Sequence, residues 1–550
     1  MFSFLKLYAY PLALLLITGL MYWSFGYDLN RTDSVKLIGL AAALYGLSYQ
    51  VLKTTSSNFK SNGNKEVFQL LVVAGIVFRV LLFGATPELS QDFYRYLWDG
   101  HLLINGINPY IYLPKEIIDQ VNPWMPNAAL LFEKMGDLSQ KHYSNYPPVS
   151  QYVYGLAAYI GNKSIAVSVL VFKIVVLVAD LLVLFFTTRL LVYFKEPLWK
   201  SFFYFLNPLV ILELSGNLHL EGVMVAFFLA AIWALVKVSQ RQRNSSEAPK
   251  TERYYIYKLQ SNHSSAGAFK TKLTLSAGSW LFLGGCFLAL SIMTKLIPIL
   301  FIPFLLWPLG VKRFLYLGAW ILVFCGLFWG PLMVEGFWSS YAETIGLWFN
   351  NFEFNASIYN LIKFISMDLG NSAYKTILTY GKVLPYMIVV WAIVVFYWQW
   401  KKMGGLQKAP YASIPNRLKS LYLSNIEDSP DVLKVSISAM LLMFTGHLFI
   451  ATTVHPWYLC FGVALAMAGI LIGVGYYKSY TTDPGMTGEV SLILTVLLGG
   501  LAVHSTDLAA ALGVAVAVLL FLKKPLRQFS QELLTETELE DALILFSAAL

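Results

Sequence analysis

The chain has 550 residues, 57% of them hydrophobic and 13% charged, with a formal net charge of +9 at pH 7. Soluble domains carry about 25% charged residues, so this composition excludes an ordinary soluble enzyme. The basic excess does not point to nucleic acid, because no basic region interleaved with base-stacking aromatics is visible.

Apolar runs of about 17–25 residues, each long enough to cross a bilayer as a helix, recur along the chain. In order they cover 7–25, 35–52, 66–86, 164–192, 199–213, 219–238, 274–293, 296–310, 314–332, 383–400, 433–452, 457–476, 489–503 and 506–522. The fold class read from them is an all-α polytopic membrane protein with about 14 transmembrane helices. The first run resembles a signal peptide for a few residues, but no small-residue cleavage site follows it and a second run does, so it is read as retained. Taking the loops in alternation, one set holds Lys53, Lys60, Lys65, Lys195, Lys200, the stretch from Lys237 to Lys272, Lys312, Arg313, Lys401, Lys402 and the Lys523–Arg527 cluster. That set carries the majority of the Lys and Arg residues, and the positive-inside rule makes it cytoplasmic, together with both termini. Cys286, Cys325 and Cys460 fall within apolar runs and read as packing residues rather than disulfides or metal ligands.

Two long loops then face outward, at 87–163 and 333–382, both rich in aromatic residues that suit a membrane interface. Ile117, Ile118, Val121, Ala128–Phe132 and Met135 are expected on short amphipathic helices resting on the bilayer. The cytoplasmic loops 239–272 and 401–432 are polar connectors. No Walker A loop and no GxGxxG between strand and helix is present, so the chemistry belongs on the outer face.

Four polar clusters share that face. The first is Asp92, Arg95, Asp99 and Asn108, with Tyr94, Tyr96, Trp98 and Tyr110, inside SQDFYRYLWDGHLLINGINPY; it is either a site or a solvated loop with an Asp–Arg pair. The second is Glu213, Asn217, His219 and Glu221, three of them ionisable, beside a break in an apolar hairpin, where charge is costly; an inter-helix network and substrate contact are both open. Lys295 ends the seventh run, where it either snorkels or meets a phosphate. His455, in a His-Pro-Trp turn, is an interfacial anchor or a ligand of substrate. Metal-type HExxH and CxxC spacings and a Gly-x-Ser-x-Gly elbow are absent from the sequence.

The pattern Asp92-x-x-Arg95-Tyr96-x-Trp98-Asp99-Gly100, followed by Gly106-x-Asn108-Pro109-Tyr110 and Tyr146-Pro147-Pro148, resembles the bacterial polytopic mannosyltransferase-like proteins of the C-type glycosyltransferase superfamily. It is also distantly similar to the catalytic subunit of GPI mannosyltransferase I. Asn207-Pro208, Gly216-Asn217-x-His219-x-Glu221, Lys295-x-x-Pro298 and His455-Pro456-Trp457-Tyr458 extend the resemblance to about residues 66–475. By this division residues 1–65 add two N-terminal helices and 476–550 add a C-terminal helix pair and tail. The resemblance implies the C-type fold and inverting transfer of a sugar from a polyprenyl-phosphate donor on the outer face of a bacterial inner membrane. It also implies that Asp92 is the catalytic acid of the first outer loop. Many members pair two acids there, whereas Gln91-Asp92-Phe93 supplies one; no cofactor is called certain, and a divalent metal is not favoured.

The residues fit that chemistry. One base must take the acceptor's proton while a phosphate leaves on the opposite face of the sugar, and cations must answer the phosphate's charge. Asp92 is the candidate base. Arg95, Lys295, Asp99, Tyr96, Trp98, Asn108, Tyr110, Tyr146, Asn217, His219, Glu221 and His455 are the candidate donor phosphate or sugar contacts. The expected function is transfer of a hexose, mannose by the resemblance, to an envelope lipid, glycan or protein acceptor. The alternative is a transporter or flippase of lipid-linked sugar, which would place polar groups near the bilayer midplane and show an internal repeat.

Overall fold

The computed structural model describes residues 2–62, 65–247, 275–350, 352–406 and 430–470. The expected runs 489–503 and 506–522, and most of the two cytoplasmic connectors, lie outside the described residues. Within them the chain is helical and contains no strand; Phe354 and Thr453 form an isolated bridge. Among the described residues, eight segments are long and apolar enough to cross a membrane: Ala9–Tyr27, Ser34–Thr55, Ile165–Phe194, Glu221–Gln240, Ala277–Thr294, Ile297–Leu332, Ala373–Met403 and Val432–Ile450.

Helices α1 (Phe2–Tyr27), α2 (Ser34–Asn62) and α3 (Lys65–Leu81) precede the first loop. That loop is itself helical: α4 (Asp92–Ile104), α5 (Pro114–Val121), α6 (Ala128–Lys134), α7 (Gly136–Gln140) and α8 (Pro148–Gly161). Prolines start α5 and α8 at the first helical position, where a missing N–H costs nothing. Ile117, Val121, Leu131 and Met135 are buried in one cluster with Trp98, so these apolar faces turn into the protein, α6 packing on α4 and α5 on α6, rather than onto the bilayer. Gly100 lets α4 and α8 approach closely, since a Cβ there would sit 2.3 Å from the Tyr154 carbonyl oxygen. Gly100→Ala should therefore lower stability by about 1–3 kcal/mol through overpacking, read as the thermal unfolding midpoint in detergent; an unchanged midpoint would show that α4 yields freely.

The long helix α9 (Ile165–Phe194) leads to the expected run 199–213, which is broken into a 3-10 turn (Leu198–Ser201), α10 (Phe202–Phe205), α11 (Pro208–Val210) and a π turn (Ile211–Gly216). The break has a local cause. Pro208 cannot donate a backbone hydrogen bond, and Asn207 Oδ1 instead accepts from the Leu209 N–H at 3.0 Å. Such irregular backbone is tolerated at membrane depth where protein surrounds it, and most of 201–216 is buried. Helix α12 (Glu221–Glu247) is central: 78% of its apolar window is buried, against 22% in α2. It packs against α9 and α13 (Ala277–Thr294).

The runs 296–310 and 314–332 form one helical segment, a 3-10 stretch (Ile297–Leu305) followed by α14 (Leu306–Trp329), interrupted at Gly310 with φ 70° and ψ 160°. The 3-10 rise of about 2.0 Å per residue stretches this short first half to roughly 24 Å by Gly310. Lys312 and Arg313 follow the break. The second loop carries α15 (Phe337–Asn350) and α16 (Ile358–Asp368), and α17 (Ala373–Leu406), α18 (Pro430–Ile450) and α19 (Tyr458–Ile470) complete the described chain.

Charges inside the apolar runs serve this packing. Arg79 Nε lies 2.7 Å from Asp180 Oδ2, both fully buried, and Tyr204 Oη donates to Asp180 Oδ1 at 3.2 Å. Lys173 on α9 donates to the carbonyls of Leu82 and Ala85, closing the end of α3 just before the segment that carries Asp92.

Candidate active site

Asp92 is the first residue of α4, where the helix dipole favours a carboxylate. Its N–H donates to Ser90 Oγ at 3.3 Å. Burial pushes the Asp92 carboxyl above the usual range; the positive charge of Lys295 opposes this, Glu221 adds to it, and Arg31 opposes it. Three segments distant in sequence thus act on one carboxylate.

Lys295 directly follows α13, and Glu221 opens α12. Lys295 Nζ lies 3.2 Å from Glu221 Oε1 and 5.0 Å from the centre of the Tyr146 ring. Two buried hydroxyls set this register: Ser150 on α8 donates to the Thr294 carbonyl at 2.7 Å, and Ser291 on α13 to the Met224 carbonyl at 2.8 Å. The π turn brings in Glu213, which accepts from Asn217 Nδ2 at 3.1 Å and lies 3.8 Å from His219 Nε2. Leu218 adopts φ 65°, a conformation costly for a branched residue, to turn His219 inward.

His219 stacks on Trp457 at 3.7 Å, and Trp457 stacks on His455 at 4.3 Å. Phe354 of the second loop stacks on His455 at 4.9 Å, beside hydrogen bonds from the Phe354 N–H to the Thr452 carbonyl and from the Val454 N–H to the Phe354 carbonyl. Burial, then the Lys295 charge, pushes His455 down to about 3, so this imidazole is neutral at physiological pH. Both ring nitrogens of His219 and Glu221 Oε2 are buried without a hydrogen-bond partner among the described residues. Asp92, Tyr146, Lys295, His455 and Trp457 are partly exposed, while Glu221 and His219 are buried. The group has a closed floor and an accessible rim.

The other sequence candidates stand behind this group. Arg95 Nε lies 2.7 Å from Asp99 Oδ1, and its Nη1 donates to the Ser139 and His142 carbonyls at 2.5 and 2.8 Å. Gln151 bridges Asp99 and Ser144. Arg95 and Asp99 thereby fasten α4 to the 139–144 turn and to α8. Tyr96 stacks on Tyr154 at 4.4 Å. Trp98 is fully buried, 6.1 Å from Phe132. Asn108 donates to the Leu332 carbonyl at 2.7 Å, and Tyr110 donates to the Tyr146 carbonyl and packs on Trp329, Phe337 and Tyr341, joining the two loops.

Several contributors carried a weaker sequence signal. Arg79, Lys173 and Asp180 each interrupt an apolar run, which marks them as serving something, but not what. Ser150, Gln151 and Ser291 carried none. Among the described residues no three His, Cys, Asp or Glu side chains converge as a metal site.

Residues 21–310 match the family described as alpha-(1->6)-mannopyranosyltransferase, N-terminal domain. The chain belongs to this family. The match runs from within α1 to the Gly310 break and takes in Asp92, Glu221 and Lys295. Alpha-(1->6)-mannopyranosyltransferase B of Corynebacterium glutamicum is 27% identical to the chain over 147 residues, which cover 26% of this chain and 23% of that relative. No solved structure matches. The resemblance to the bacterial mannosyltransferase group therefore holds, while these findings carry nothing on GPI mannosyltransferase I.

Proposed function

We propose that this member of the alpha-(1->6)-mannopyranosyltransferase family transfers mannose, with inversion, from a polyprenyl-phosphate-mannose donor to an envelope acceptor at the extracytoplasmic face. The observation that carries this reading is the half-buried Asp92 carboxylate at the start of α4, with the Lys295–Glu221 pair close enough to act on its charge. The carboxylate takes the acceptor hydroxyl's proton as that oxygen attacks the anomeric carbon. The bond from that carbon to the donor phosphate oxygen breaks, and the phosphate leaves with the bonding electrons. Lys295, kept in place by Glu221, answers the charge that builds on the phosphate. The His219–Trp457–His455 stack holds His219 in place, and the unpartnered His219 nitrogens and Glu221 Oε2 are the groups available to the sugar's hydroxyls.

A carrier of lipid-linked sugar is less well supported, because these groups sit at the termini of α4, α12 and α13 and in the turn before α19, not in mid-helix. Incubating the purified protein with polyprenyl-phosphate-mannose and membrane lipid extract separates the readings. A new mannosylated product is expected; intact donor moved across a vesicle, with no product, would favour the carrier.

Sidedness is tested separately. Cysteine at Lys141, in the first loop, should react with an impermeant maleimide in intact cells, while cysteine at Lys402, at the end of α17, should react only after permeabilisation. The reverse pattern would put the site on the cytoplasmic face and exclude an outward-facing donor.

A further inference from the structure

The α1–α2 hairpin is built into the wall of the site. Tyr27 Oη donates to the Leu81 carbonyl at 3.0 Å. A Cβ on Gly84 would lie 2.8 Å from that hydroxyl, and one on Gly26 would lie 2.9 Å from Leu82 Cδ2. On the other side a Cβ on Gly216 would come within 3.1 Å of the Phe25 ring. Between these contacts a small cavity is lined by Phe25, Leu29, Thr86, Glu88, Gly216 and Asn217. The end of α1 thus touches both the segment leading to Asp92 and the turn leading to His219.

The turn that follows, at 28–33, carries three charges. Asp28 accepts from Lys36 Nζ at 2.5 Å, and Asp33 accepts from the Lys36 N–H at 3.0 Å. Arg31 is exposed and makes no hydrogen bond or ion pair with a described residue. The charge balance calls for a cation here. Lys295 already faces Glu221, while Asp92 repels an incoming phosphate, and the phosphate gains a further negative charge as it leaves. A guanidinium presents a planar fork suited to phosphate oxygens.

We infer that Arg31 binds the phosphate of the polyprenyl-phosphate donor, so that the N-terminal hairpin supplies the site with a second cation in addition to Lys295. The turn that carries Arg31 follows the end of α1, which packs against the segment leading to Asp92, and the Arg31 charge acts to lower the Asp92 carboxyl. The inference rests on the mannosyl-transfer reading. Its test compares the wild-type protein with Arg31→Gln and Arg31→Lys, varying donor and acceptor separately. For Arg31→Gln the donor KM should rise on the order of tenfold, the worth of one charge-assisted contact. The acceptor KM and the thermal unfolding midpoint should hold, and Arg31→Lys should recover part of the loss. Inhibition by a short-chain polyprenyl monophosphate should weaken by the same factor, and inhibition by the corresponding polyprenol should not change. An unchanged donor KM, or a shift confined to the acceptor KM, overturns the assignment and leaves the functional reading standing. If the wild-type protein makes no product, the functional reading fails instead. Direct binding of the polyprenyl monophosphate, followed by tryptophan fluorescence, then decides Arg31: weaker binding by Arg31→Gln sustains it, and equal binding overturns it.

Discussion

Asp92→Asn is expected to lower mannose transfer by roughly 10²–10⁴-fold, the usual worth of a positioned base, with donor binding retained. The amide keeps the side chain's shape and its place at the start of α4 but cannot accept a proton. Asp99→Asn provides the contrast. Asp99 is fully buried against Arg95 and Gln151, so its loss should loosen α4 and lower the unfolding midpoint, with chemistry following only as far as α4 moves. Near-normal turnover of Asp92→Asn beside a dead but folded Asp99→Asn would move the base to Asp99. The pH dependence follows from the raised Asp92 carboxyl. Activity needs the ionised form, so the rate should climb with pH through a value above the ordinary aspartate range and then level off. Stability runs the other way: a folded-state value above the unfolded one contributes stability below the unfolded value and loses it as pH rises through the folded value. Asp92→Asn, neutral throughout, should therefore unfold at a higher temperature than wild type near neutral pH, and the gap should close in acid. A wild-type rate that stays flat down to the ordinary aspartate range would show that Asp92 is not the titrating base.

Lys295→Ala should cost about 1.5–3 kcal/mol of transition-state stabilisation, the loss of a charge-assisted contact to phosphate, and Lys295→Arg should cost less. The alanine variant also strands Glu221, which is fully buried, and an uncompensated buried charge is destabilising by itself. The double variant Lys295→Ala, Glu221→Gln separates the two effects. It should regain the unfolding midpoint yet remain impaired in transfer. Recovery of both would return Lys295 to a structural role as the partner of Glu221. Removing the lysine also removes a charge that lowers the Asp92 carboxyl, so the acid limb of the pH–rate profile should shift upward in Lys295→Ala.

Much of this arrangement is legible in the sequence, because a bilayer imposes simple rules. Helices must satisfy their own backbone, so long apolar runs predict α9, α12, α13, α17 and α18. Ionisable groups at the ends of such runs are costly, which singles out Asp92, Glu221, Lys295 and His455 without any structure. The motif order then identifies the resemblance that the family match bears out. Periodicity does not predict how a run is built inside: Asn207-Pro208 breaks one run into four short pieces, and a left-handed glycine at Gly310 joins two others.

Tertiary structure decided which polar residues meet. Arg95 and Asp99 carry the same sequence signal as Asp92, but i and i+4 on one helix turn them onto each other, while Asp92 at the helix start is left toward Lys295. Trp98 lies in the same aromatic motif as Tyr146, yet it is covered by α6 and Tyr146 lies beneath the lysine. The α1–α2 hairpin reads as an addition because its sequence matches no site motif, and only the close approach of the end of α1 to Leu82, Gly84 and Gly216 brings the hairpin against the segments that lead to Asp92 and His219. Sequence fixes the chemistry available at each helix end, since burial in lipid penalises every charge in the same way. Which ends converge depends on side-chain packing between helices hundreds of residues apart, and local sequence carries no record of that packing.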